Sequence, residues 1–492
     1  MIPIEKNIRN TTGIALGLRL KTRTARLAVE LSQTAKLALP SVLAELGQAV
    51  MMITDLAFIG HISADALAAA ALASRIYLVG LTFGTGLMSA VAPLAAQAFG
   101  SDNPGLVRRS LRVGLWAALL LSLPIIAFAL CGEQILVAFG QAPETTRLAQ
   151  QYLFGLAWGI LPVLWFRALR SFMIAVKRPE PLLWITLAAI PVNFLLVYLL
   201  VYGRCGLPRL ELFGAGFATS LVNCAILLVA LWFAIRRRPF SDYHLLAHLW
   251  HVDWPLMREL IVIGAPSSMA LLMEYGLFSA AALLMGLIGT TALAAHQIAF
   301  NIAAILFKIP IGIGMAATVR VAHAVGRNDH PGIRRAGLVA MLLGVAIAAV
   351  LMVIVIAARL ELVRMFLDDA GDKADATIEL AGTLLLVAAS FVITETLETI
   401  AMGCLRGLKD TRIPLLFTGV GYWLVGMLSS YALSLQIGLG AVGVWIGLSI
   451  GTTVYAALLI LRFLALTNKL ALQNGAPRRP IVDQPQSGTR YR

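Results

Sequence analysis

Long apolar runs, broken at near-regular intervals by short polar, basic or Gly/Pro-containing stretches, occupy most of this 492-residue chain. A helix needs about 20 apolar residues to cross the hydrocarbon core of a bilayer, and run after run meets that length. The pattern predicts twelve transmembrane helices: 36–60, 66–99, 107–131, 148–176, 182–202 and 213–235, then 257–288, 291–325, 334–358, 376–405, 413–435 and 440–465. A polar, basic lead over 1–34 precedes them, a linker over 237–256 divides them six and six, and a polar tail over 467–492 is expected to be disordered.

The two sets of six are copies. Shifted by 226 residues, Pro40 falls on Pro266, Gly60 on Gly286, Leu67-Ala68-Ala69 on Leu293-Ala294-Ala295, Gly86 on Gly312, Gly100 on Gly326 and Arg108-Arg109 on Arg334-Arg335. Ala and Gly matches are common in an Ala-rich chain, but a proline and an arginine pair held in one ungapped register argue for duplication. An even number of spans per copy keeps the copies parallel. The expected architecture is therefore an all-α integral membrane protein of two six-helix lobes, 35–236 and 257–466, related by a pseudo-two-fold along the membrane normal. Pro93, Pro124, Pro162, Pro191 and Pro310 also fall inside spans, where proline bends a helix.

Composition agrees: 59% of residues are hydrophobic and 13% charged, with a mean hydropathy of +0.85, against about 25% charged in soluble domains. The formal net charge is +14, which in a soluble chain would suggest nucleic acid. Here the positive charge gathers in alternate loops: Arg108-Arg109, Lys177-Arg178, Arg236-Arg237-Arg238, Arg327 with Arg334-Arg335, and Arg406 with Lys409 and Arg412. By the positive-inside rule both termini are expected in the cytoplasm, and the partner is the lipid bilayer rather than nucleic acid. Cys131, Cys205, Cys224 and Cys404 show no disulfide or zinc spacing. No secretory signal is visible, so the first run is read as a retained helix. In the linker, His244, His248 and His251 are spaced for one stripe of an amphipathic segment, favoured over a metal site. The acidic loop with Asp368, Asp369, Asp372 and Asp375 lacks full calcium-loop spacing.

Carboxylates inside apolar spans are the candidate chemistry. Asp55, Glu274 and Glu395 stand out, with Glu45 and Glu398 beside them. An ionised carboxylate at membrane depth costs several kcal/mol by order of magnitude, so it marks a partner, a cavity or an ion path. Two readings are open: a buried ion pair, with Lys308 as a candidate partner for Glu274 or Glu395, or a carboxyl that takes up a proton or cation on one side and releases it on the other. Asp55 could also be a solvated helix end, and Glu45 a partnered structural acid. The copies differ here, since Glu274 falls on Gln48 and Asp55 on Ala281. Gln48, Gln297 and Asn301 are polar groups within spans, and Phe278 lies one turn from Glu274.

The Pro40, Asp55-Leu-Ala-Phe-Ile-Gly60, Leu67-Ala-Ala and Gln97-Ala-Phe-Gly100 run resembles the first lobe of the multidrug and toxic compound extrusion (MATE) transporters. The second lobe is similar to theirs through Gly264-Ala-Pro266, Glu274, Leu293-Ala-Ala-His-Gln-Ile-Ala-Phe-Asn301, Arg320-Val-Ala-His323-Ala-Val-Gly326 and Leu405-Arg-Gly-Leu-Lys-Asp410. The resemblance covers about 35–465. It implies a secondary transporter of the bacterial inner membrane, expected as a monomer, that exports organic cations by antiport with Na+ or H+ and needs no cofactor. By position it implies coupling roles for Asp55, Glu274 and Glu395 and cavity positions for Asn193 and Phe391; Gln48, Gln297 and Asn301, for which interhelical hydrogen bonding is the default, and Phe278, for which core packing is, complete the candidate substrate cavity. Glu395 stands where the NorM-like branch has aspartate, Phe391 where that branch can have a cation-facing tyrosine, and Val197 where DinF-like archaeal members carry a second aspartate. The missing aspartate at Val197 favours the NorM-like arrangement over a first-lobe proton site, and the longer side chain at Glu395 leaves its ion geometry open. Arg406 is expected to anchor the end of its helix.

A flippase for lipid-linked or anionic cargo on the same architecture is the nearest rival, and it should line its cleft with Arg or Lys. A membrane-embedded transferase would need a paired-carboxylate metal motif or a His-Asp centre, neither of which is visible. A channel is opposed by the lack of a filter-like loop.

Overall fold

The computed structural model describes residues 4–204, 206, 208–245, 250–366 and 372–475, the side chains of 4–27, 372, 373 and 473–475 excepted. The described residues form helices throughout, with no strand among them. Twelve spans result: α1 (Ile4–Gly60), α2 (Ala64–Gly100), α3 (Pro104–Leu130), α4 (Pro143–Ala157 with Ile160–Ala175), α5 (Glu180–Tyr202), α6 (Glu211–Arg236), α7 (Trp254–Ile288), α8 (Thr290–Gly326), α9 (His330–Ala357), α10 (Asp372–Gly407), α11 (Arg412–Gln436) and α12 (Gly440–Gly475). The two pieces of α4 meet at 44°. The break at Trp158–Gly159 lies just before Pro162, whose ring cannot continue the helical hydrogen bonding. Pro93 likewise follows the break in α2 at Ser89–Ala90.

Local chemistry sets the ends. Asn103, Asp253 and Asp329 each cap a helix, accepting from the N–H of Leu106, Leu256 and Gly332, with proline in the first turn each time. The duplication is visible in the turns. Asp102 and Asn328, 226 residues apart, are both left-handed (φ 56° and 55°), as are Lys177 and Lys409, which end α4 and α10 (φ 59° and 61°).

Two boundaries differ from the sequence reading. The first helix extends back to Ile4, through the basic lead, and the last continues to Gly475 instead of ending near 466. Among its described residues the linker forms a short 3-10 turn, Phe240–Tyr243, and His244 follows it in a left-handed conformation. His248, Cys205, Asp368, Asp369 and 476–492 lie outside the described residues. Cys131, Cys224 and Cys404 are free thiols.

Each half builds its own hydrophobic core, but the halves exchange their leading ends. Leu37, Ala38 and Val42 of α1 pack in the core of the second lobe, while Leu256, Leu260 and Ile263 of α7 pack in the core of the first. Between lobes the contact is made by small residues, since apolar burial gives little drive within lipid and close van der Waals packing must supply it. A Cβ on Gly86 would fall on the backbone of Ser268, and one on Gly312 on the backbone of Val42. Positions 42 and 268 are themselves repeat equivalents.

Candidate functional site

The first lobe holds Asp55 in a finished hydrogen-bond set. Its carboxylate is 7% exposed. Asn193 Nδ2 of α5 donates to Oδ1 at 2.7 Å, and Thr219 Oγ1 of α6 donates to Oδ2 at 2.9 Å. The solvated-helix-end alternative therefore does not describe Asp55. Asn193 is 1% exposed and its amide is committed to Asp55. Glu45, one face of α1 nearer the N-terminus, is an ion-paired acid: Arg170 Nη1 of α4 donates to Oε1 at 2.5 Å. Arg167 and Lys308 lie within electrostatic reach of the same carboxylate. Lys308 thus faces Glu45 rather than Glu274 or Glu395.

The second lobe is built differently. Glu274 of α7 is half-buried, and Glu395 and Glu398 of α10 are 4% and 3% exposed. Three residues apart on one helix, Glu395 and Glu398 share a face, and each lies within electrostatic reach of the other and of Glu274. Against these three carboxyl groups stand few donors. Tyr422 Oη hydrogen-bonds Glu398 Oε1, and Glu398 Oε2 has no partner. Tyr455 Oη, within reach of Glu398 and Glu274, accepts from Thr418 Oγ1 at 2.9 Å. The Arg406 charge reaches Glu274 without a direct ion pair, and its Nε is buried and unpartnered. Arg406 therefore points its charge into the lobe instead of serving only to anchor the helix end. Tyr422 sits on a π-helical stretch of α11, Gly419–Met427, a form frequent at functional sites. Among the described residues no three His, Cys, Asp or Glu side chains converge as a ready metal cage.

Around the acids, Phe391 is 2% exposed, its ring edge-on to Phe278 (6.0 Å between centroids) and Trp445 (5.6 Å). It packs in the core, as expected of a phenylalanine and unlike a cation-facing tyrosine. Gln48 and Gln297 are half-buried and Asn301 is exposed; no side-chain hydrogen bond ties any of the three.

The lobes join on the side of the basic loops. Gln97 Nε2 of α2 donates to the carbonyl of Gly407 at the end of α10 (2.9 Å), and His323 Nε2 of α8 lies 2.7 Å from the carbonyl of Ala175 at the end of α4. Positions 97 and 323 are repeat equivalents. Gly326 packs on Gln97 and Gly100 on His323, closing the seam symmetrically. Ser268 Oγ bonds the carbonyl of Phe83 (2.7 Å), and Arg320 holds Glu30 and Thr34 of α1.

The MatE family profile matches residues 40–199 and 266–432, the two halves in turn. The chain belongs to the MatE family. A protein described as a probable multidrug resistance protein NorM in Bradyrhizobium diazoefficiens is 59% identical over 444 residues, covering 90% of this chain and 95% of that one. One with the same description in Rhodopseudomonas palustris is 50% identical over 456 residues, covering 93% and 96%. Among solved structures, the eukaryotic MATE transporter AtDTX14 superposes with a TM-score of 0.81 at 20% identity over 91% of this chain and 99% of that one. An outward-facing multidrug resistance MATE transporter of the MOP superfamily gives 0.80 at 18% identity, over 90% and 97%. These structures establish the two-lobed fold.

Within this MatE chain, the residues that sequence reading did not single out are Thr219, Arg170, Tyr422 and Tyr455, and Glu398 was set beside the expected coupling acids rather than among them. The expected set of Asp55, Glu274 and Glu395 is divided, with Asp55 in one lobe and the two glutamates in the other.

Proposed function

We propose that this protein is a secondary exporter of the inner membrane, with both termini cytoplasmic. It would move structurally varied, mostly cationic organic compounds outward in exchange for Na+ or H+. One observation carries the proposal: three carboxyl groups, Glu274, Glu395 and Glu398, share a lobe interior in which a single direct donor is found among the described residues. Three negative charges packed in low dielectric repel one another, so the cluster is stable only with protons or cations bound. A cation released there when the opposite solution is admitted, or displaced by a cationic guest, gives antiport. Kinship with proteins described as multidrug resistance proteins supports a broad guest range. The seam closed on the basic-loop side fits one end state of an alternating cycle, with the cytoplasmic side shut.

Proteoliposomes with an imposed Na+ or pH gradient test this. Wild type should expel ethidium only under one inward gradient, and Glu274→Gln and Glu395→Gln should lose the dependence on it. Gradient-driven efflux unchanged in both variants would rule the cluster out as the coupling site.

The second reading, an exporter of anionic or lipid-linked cargo, draws support from Arg167, Arg170 and Lys308, three cations facing the single acid Glu45. Lack of protection against any organic cation in a drug-sensitive host, with efflux of an anionic probe from the same vesicles, would favour it.

A further inference from the structure

Where the α4–α5 turn meets the end of α6, Arg178, Arg237 and Arg238 line one open hollow with Trp184, Phe233 and Glu180. Their charges do not cancel. Arg178 makes no side-chain hydrogen bond or ion pair among the described residues. Arg237 lies 5.9 Å from the ring centre of Phe233. Arg238 is paired only loosely with exposed Asp242, at 3.5 Å. The hollow also receives the start of α5, a 23-residue helix with no side-chain cap, whose dipole adds a positive end that Glu180 in the same turn partly offsets.

The duplicated half shows how the same corner is neutralised when it is not left open. After the left-handed Lys177 comes Arg178; after the left-handed Lys409 comes Asp410. Arg462, in the register of Arg236, donates to Asp410 at 2.8 Å. One copy thus closes the corner with its own carboxylate, and the other puts a guanidinium where that carboxylate would be. Three guanidinium groups face two exposed carboxylates, Glu180 and Asp242, which leaves the corner with a net positive charge open to an anion from outside the chain. Trp184, 68% exposed on α5, gives the hollow an indole rim of the kind found at the level of lipid headgroups.

We propose that this hollow binds the phosphate of an anionic phospholipid, its acyl chains lying along the outer face of α5 past Trp184. Guanidinium groups suit a phosphate because they can offer it paired N–H donors. The bound lipid would tie α5 to α6, the helices that carry Asn193 and Thr219, the two donors on Asp55. The proposal does not depend on the exported compound or the coupling ion, and its failure leaves the exporter reading untouched.

The test measures the unfolding midpoint of the detergent-purified full chain in micelles with added phosphatidylglycerol, with phosphatidylcholine, and with glycerol 3-phosphate alone. Phosphatidylglycerol should raise the midpoint above the other two, as a ligand of the folded state does. Arg178→Gln combined with Arg237→Gln should lose about half of that rise or more, while Arg334→Gln combined with Arg335→Gln, equal in charge removed, should keep it. Arg178→Asp, which copies the arrangement of the second half, should fold as wild type in lipid-free detergent and lose the phosphatidylglycerol increment. Equal increments from the two lipids, an increment kept by the Arg178 variants, or the full effect from glycerol 3-phosphate would each overturn the proposal.

Discussion

Two buried acidic groups, one per lobe, sit in the same repeated scaffold with opposite degrees of completion. In the first lobe Asp55 has a donor on each oxygen and Glu45 has a guanidinium. In the second, three carboxyl groups share Tyr422 as their one direct donor among the described residues, and a buried oxygen of Glu398 goes without. A satisfied buried acid is held in place; an unsatisfied cluster stores a demand for positive charge. Duplication supplied the frame, and divergence left its two acidic groups differently partnered.

Four measurements would break or sharpen this contrast, the largest effect first. Glu398→Gln should cut gradient-driven efflux by about tenfold or more without lowering the unfolding midpoint, because it removes a repulsive charge and keeps the shape. If Glu398→Gln pumped normally, the incomplete cluster would not be the coupling element. Glu45→Ala should behave oppositely in stability, costing about 3–5 kcal/mol by leaving Arg170 buried without its acid, as read by chemical or thermal unfolding. Replacing both partners, Glu45→Leu with Arg170→Met, should recover much of that loss. Asn193→Ala should cost about 1–3 kcal/mol by removing one donor from Asp55, and Thr219→Val less.

The smallest effect is at the helix end outside the spans. Burial alone would raise the Asp253 carboxyl, but the Arg109 hydrogen bond, the Leu256 N–H and the Arg109 and Arg112 charges outweigh it and hold the group below its ordinary 3.8. A depressed folded pKa means the contribution is fully present above 3.8 and fades as the pH falls through the lower folded value. The gap in unfolding midpoint between wild type and Asp253→Asn should therefore be constant at neutral pH and narrow only in strong acid.

Much of the fold is legible in the chain because span length, loop charge and the repeat register are local or periodic signals. Asp55 and Glu274 are legible too, as charges in apolar runs. Their partners are not. Arg170 meets Glu45 across 125 positions and Thr219 meets Asp55 across 164, and a threonine in an apolar helix can bond its own backbone, as Thr186 does and as Thr219 also does with the carbonyl of Ala215. Tyr422 is harder still, since the π-helical stretch that carries it departs from the 3.6-residue period on which face assignments rest. The basic lead shows a different limit: its polar composition marks where the apolar span begins but not where the helix does, and α1 runs through it from Ile4.

The matched clasps at Gln97 and His323 carry a further consequence. Because each lobe reaches for the same carbonyl of its opposite, the two fastenings share an axis, and a rotation that undoes one must undo the other. A wedge driven into either, such as a bulky residue at Gly100 or Gly326, should release both at once, so this door has two bolts but a single throw.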